Sequence, residues 1–151
     1  MWGDSLMMLT MKQIADNYHT LFRMKPLSKV RHRTAKHNGH YVLLKGTATG
    51  SKGDMYTMEI ELQKDETGKV NYLSPVSYIY CACPAYTYYV QDPLMKAGST
   101  YPGTGHVNKR INNPKQIAAP CKHLYSYIQY LMSRGVLNRV NMTAPPLEDS
   151  K

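Results

Sequence analysis

Tyr56-Thr57-Met58-Glu59-Ile60-Glu61-Leu62 alternates apolar and polar side chains without a break. A period of two marks a strand with one buried and one solvated face. Ahead of it, residues 40–48 hold the apolar run Tyr41, Val42, Leu43 and Leu44, and Gly50-Ser51-Lys52-Gly53 reads as the turn between the two. Behind it, Asp65-Glu66-Thr67-Gly68 is a second turn. Residues 70–73 and 76–82 then read as short β segments parted by Pro75. These signals predict an antiparallel meander of three or four strands.

Helical signals flank the meander. Thr10 is a candidate N-cap, Gln13 completes a capping box, and Leu9 and Ile14 occupy the positions of a hydrophobic staple. Met11, Ile14, Tyr18, Leu21 and Phe22 follow at helical spacing. Pro26 disfavours helical geometry in the residue before it, so this helix is expected to end near Lys25. Residues 26–39 read as a basic, His-bearing connector. Residues 91–120 hold four Pro, three Gly and three Asn, and read as a long irregular insert. Pro120 leads into a last helix striped with Leu124, Ile128, Leu131 and Met132, and Gly135 is a stop signal. The predicted class is α+β: an N-terminal helix, the meander, the insert and a C-terminal helix. A single domain is expected over residues 1–140, with an extended tail over 141–151.

The chain has 151 residues, 19 Lys and Arg against 10 Asp and Glu, and a net charge of +9. No run of 18 apolar residues occurs, so no membrane span is expected. The start of the chain carries Asp4 and no basic residue before Lys12, unlike a secretory signal. The charge is segregated. Residues 22–53 hold eight basic residues and no acid, and residues 93–147 hold seven and no acid. The stretch between, residues 54–92, has six acids and two bases. Two basic stretches around an acidic middle suit an anionic partner, either nucleic acid or an acidic protein surface. Arg31, Arg33, Lys36, Lys109, Arg110 and Lys115 are the candidate contact residues.

There are three cysteines, an odd number that argues against a disulfide-stapled secreted domain. They fall into one pattern: Cys81-Ala82-Cys83, a gap of 37 residues, then Cys121-Lys122-His123. Two thiolates at a strand end, with a Cys and a His at a helix start, supply four donors. Three sulfurs and one imidazole match the set that structural zinc prefers. A helix N-terminus also favours thiolate, because its free N–H groups and dipole stabilise negative charge. Other readings of these residues are an iron–sulfur cluster, a Cys–His hydrolase and free cysteines buried by coincidence. Iron–sulfur families with this donor set use a compact segment, and a hydrolase needs one reactive thiol rather than three gathered together. His32, His37 and His40 read as exposed residues of the connector. His106, in the insert, is the competitor of His123. The tyrosines around the motif read as its core and rim, with their hydroxyls in water.

The pattern C-x-C…C-x-H, with β structure before it and a helix opening at the second pair, resembles the SWIM-type zinc finger. Cys83-Pro84, the aromatic Tyr86 and Tyr88, and Pro120-Cys121-Lys122-His123-Leu124 carry the resemblance, over about residues 70–134. The 37-residue gap is longer than the spacings common in that family. The layout is also similar to small SWIM-bearing proteins of tailed bacteriophages, with a Pro/Asn/Gly-rich and basic insert before C-K-H.

The resemblance implies one structural Zn²⁺ held by Cys81, Cys83, Cys121 and His123, stapling the meander to the last helix, and no enzymatic activity. The expected role is an assembly component of a phage particle, docking to virion proteins through basic faces. The alternative is a nucleic-acid-binding module that contacts phosphates of DNA or RNA with little sequence specificity. The expected setting is a thiol-preserving compartment of the host and the virion, not the secreted space.

Overall fold

The computed structural model describes residues 8–22, 29–50, 52–98, 113 and 115–137. In chain order these form helices α1 (Met11–Asp16) and α2 (Tyr18–Leu21), then strands β1 (Lys29–Asn38), β2 (Tyr41–Thr49), β3 (Met55–Gln63) and β4 (Val76–Cys81). A π-helical turn (Tyr86–Val90) runs into α3 (Gln91–Lys96), and α4 (Lys122–Ser133) follows. The fold is α+β, with a four-stranded antiparallel sheet in the order β1-β2-β3-β4.

The alternation of β3 does what its pattern demands. Met58, Ile60 and Leu62 are buried beside Val42, Leu44 and Ala48 of β2 and Val76, Ile79 and Cys81 of β4. Helices cover that face. Met11, Ile14, Ala15 and Tyr18 come from the N-terminal pair, and Leu124, Tyr127, Ile128 and Leu131 from α4, all in one core. Tyr18 stacks on Tyr125 with ring centroids 4.5 Å apart, which ties the first helices to the last. The predicted capping box is present: Thr10 Oγ1 accepts from Gln13 N–H at 3.2 Å, and Gln13 Oε1 accepts from Thr10 N–H at 2.8 Å. Gly135 ends α4 with φ +74°. Val136 N–H reaches Leu131 O and Gly135 N–H reaches Met132 O, the paired bonds of a Schellman cap.

Four sequence expectations are corrected. The connector over residues 26–39 is largely strand: residues 29–38 form the edge strand β1. It lacks alternation because only Val30 and His32 are half-buried and the rest face solvent. Its hairpin partner is reached through Gly39-His40, with Gly39 at φ +62°, as in a type II′ turn. Second, the first helix does not run on to Lys25. It breaks at Asn17, whose side chain donates to Ala118 O at 2.8 Å, and stops at Leu21 with Phe22 extended.

Third, residues 70–73 are not a strand but a turn. Tyr72 O and Ser74 O accept from Lys12 and Met11 N–H, satisfying free donors at the start of α1. Finally, the insert opens as helix over residues 91–96. Pro93 has no N–H to give the Tyr89 carbonyl four residues back. The Asn113 side chain fills that gap, donating to Tyr89 O at 2.8 Å. The tail over 141–151 lies outside the described residues.

Candidate metal centre

The order of the sheet brings the two halves of the cysteine pattern together. Cys81 is the last residue of the edge strand β4 and pairs with Met58 of β3. Cys83 lies two residues past the strand, before the helical turn that starts at Pro84. Cys121 is the N-cap of α4, with Sγ accepting from Leu124 N–H at 3.5 Å, and His123 sits in the first turn. The expectation that Pro120 opens the helix shifts by two residues, because Cys121 itself takes the cap.

The return path from the insert is anchored by Asn113. Its side chain donates to Ile117 O at 3.0 Å and accepts from Ile117 N–H at 3.0 Å, besides holding Tyr89 O. Asn17 holds the next carbonyl, Ala118 O. The segment that delivers Cys121 is therefore fixed to the helical layer at two successive residues.

Cys81, Cys83, Cys121 and His123 offer one sulfur or nitrogen each, all within 4.8 Å of one another. All four are buried, with His123 the most accessible at 4%. Cys81 Sγ stands 3.9 Å from His123 Nδ1. Donors around a tetrahedral ion, at about 2.3 Å from sulfur and about 2.0 Å from nitrogen, stand roughly 3.5–3.8 Å apart. The observed separation is close to that spacing, and the three thiols form no disulfide. These four residues can hold one metal ion.

The electrostatics fit a cation. Burial, reinforced by Cys81 and Cys83, pushes the Cys121 thiol well up. At Cys81 a hydrogen bond from Cys121 pulls downward, but the Cys83 neighbour and burial outweigh it, so this thiol is pushed up to about 12. Cys83 goes the other way, held far down by hydrogen bonds from Cys121 and Cys81. One thiolate is thus shared by two buried thiols. The backbone N–H groups of Cys83 and Tyr86 turn on the sulfurs of Cys81 and Cys83, as that of Leu124 does on Cys121. Nε2 of His123 is buried with no hydrogen-bond partner among the described residues.

The other predicted residues lie elsewhere. Arg31, Arg33 and Lys36 are exposed along β1, with Arg33 at a bulge between His32 and Thr34. Lys115 is exposed ahead of α4. Lys109 and Arg110, like His106, lie outside the described residues. His32 is not a plain surface histidine: its Nδ1 is 2.8 Å from Tyr127 Oη. Nor are all the tyrosine hydroxyls in water, since buried Tyr86 donates to Ile79 O at 2.6 Å. Sequence reasoning also gives no sign of the cleft of about 380 Å³ beside the cluster, lined by Lys52, Asp54, Tyr56, Pro84, Lys122 and His123 among others. Its walls come from three separate segments that only the folded sheet joins.

No helix among the described residues is long and apolar enough to cross a membrane. In comparisons with protein-family models, curated proteins and solved structures, nothing matches this chain.

Proposed function

We propose that this chain is a zinc-stapled, non-enzymatic interaction module of the SWIM type. The observation that carries the reading is the convergence of Cys81, Cys83, Cys121 and His123, all buried, from a strand end and a helix start. Three thiolates and an imidazole suit Zn²⁺, and four protein donors leave no position for a substrate, so the ion is structural. Its binding free energy, on the order of 10 kcal/mol or more, becomes folding energy because the unfolded chain has no preformed site.

The module docks through its basic residues. Arg31, Arg33 and Lys36 line an exposed sheet edge, where side-chain charge and unpaired backbone groups are both available. The partner we favour is an acidic protein surface in a larger assembly, a phage particle by the resemblance of the motif and insert. Metal analysis of the purified protein tests the centre: one zinc per chain is expected, and iron in its place sinks it. Stoichiometric recovery of the protein in purified particles tests the role.

A second reading is phosphate binding, favoured by the two lysines in the cleft beside the centre. Steeply salt-dependent DNA binding that Lys109→Ala with Arg110→Ala removes would place the function there instead.

A further inference from the structure

The cleft beside the cluster is open to solvent on one side and reaches His123 and Cys83 on the other. Lys52 comes from the β2–β3 turn and Lys122 from the first turn of α4. Neither forms an ion pair among the described residues. The one carboxylate on the wall, Asp54, faces the Tyr56 hydroxyl. Tyr56 in turn lays its ring against the His123 imidazole, with centroids 5.1 Å apart.

His123 adds a separate demand. Nδ1 is the nitrogen turned to Cys81, and Nε2 is buried without a partner. Coordination through Nδ1 leaves the proton on Nε2, which then has to be donated to something. A metal-bound histidine normally gives this second N–H to an oxygen acceptor. The described protein supplies none, while the cleft that His123 lines has room for one.

We propose that this cleft binds a phosphate-type oxyanion, held by Lys52 and Lys122 and accepting the Nε2–H of His123. The proposal rests on metal coordination by the Cys₃His cluster. Two cations and one neutral donor suit the charge and the acceptor capacity of phosphate. The anion can be free phosphate or a phosphodiester of a nucleic-acid strand. In either case the metal orients the imidazole and takes no part in contacting the ligand.

The test uses the full metal-loaded chain, with metal content measured on every sample. Inorganic phosphate is titrated while amide and histidine ring nitrogens are followed by NMR. Saturable shifts are expected at residues 52–56 and 122–123. Lys52→Gln with Lys122→Gln should weaken binding about tenfold or more, whereas Lys122→Arg should retain it. An oligonucleotide that binds more tightly than phosphate, with a salt dependence flattened by the double variant, identifies phosphodiester as the source. Binding of phosphate and mononucleotides alone identifies the free anion. A sample with one metal per chain that shows no saturable shift, or binding untouched by the double variant, overturns this proposal alone. Loss of metal from a folded wild-type sample without loss of phosphate binding overturns the dependence on coordination.

Discussion

The ring of Tyr127 lies flat against the backbone of Gly46, so closely that a Cβ at position 46 would stand 2.7 Å from Cε1. The same Cβ would stand 2.6 Å from the Arg31 carbonyl oxygen. Glycine in a strand interior usually marks such a close approach. Here it lets α4 settle on β1 and β2, and it puts the Tyr127 hydroxyl within 2.8 Å of His32. Gly46→Ala should therefore cost about 1–3 kcal/mol, because one of the clashing atoms is backbone and cannot swing away. Thermal unfolding checks this, and a melting temperature equal to that of the parent chain would show that the helix has slack to move.

Tyr127→Phe keeps the ring and removes the hydroxyl. The loss should be about 1 kcal/mol at neutral pH, the size of one hydrogen bond. The alkaline limb should respond in the opposite sense. Burial raises the Tyr127 hydroxyl above the usual tyrosine value of 10.0, and burial first and then the Cys121 and Tyr125 charges raise Tyr18 to about 12. A raised folded-state value means full stability below pH 10, then decline as the pH climbs toward the folded values. Removing one of these two phenols should make the decline above pH 10 shallower. A decline of unchanged steepness in the variant would rule out Tyr127 as a source.

Metal affinity should rise with pH. In the metal-free protein the Cys81 and Cys121 thiols are pushed up, so they carry protons that an entering ion must displace, whereas Cys83 is already a thiolate. Two displaced protons correspond to about two decades of apparent affinity per pH unit. Chelator competition at several pH values around neutrality measures the slope. A flat profile excludes thiolate ligation.

Asn113→Ala should act on the metal without touching it. The variant leaves the Tyr89 carbonyl unmet next to Pro93 and frees the backbone of Ile117. About 1–3 kcal/mol of stability should be lost, and metal affinity should fall with it, since Cys121 lies four residues beyond Ile117. Hydrogen exchange at residues 117–124 separates local loosening from global destabilisation. Protection unchanged at those amides would mean that Asn17 alone suffices to hold the segment.

The donor set was legible in the sequence because its members are short-range pairs: C-x-C and C-x-H each declare themselves locally, and no other cysteine competes. The meander was legible where one face is buried, as in β3. β1 was not, because an edge strand that half-buries only Val30 and His32 leaves no period to read, although Gly39-His40 carried the glycine of a type II′ loop. The break at Asn17 and the helix over residues 91–96 were hidden for a different reason. Both depend on partners about a hundred and about twenty residues away, Ala118 and Asn113, that no local window contains. The cleft shares that cause, since Lys52 and Lys122 meet only once the sheet has closed.

The two ligand pairs sit on opposite banks of a 37-residue stretch, and a single ion held by all four residues would tie both banks. In the metal-loaded protein the intervening chain is therefore a closed ring whose circumference the centre does not sense. Doubling the length of a flexible ring costs only about 0.6 kcal/mol. Ring closure therefore puts little penalty on the spacing between Cys83 and Cys121, which is free to diverge widely while the centre itself stays constant.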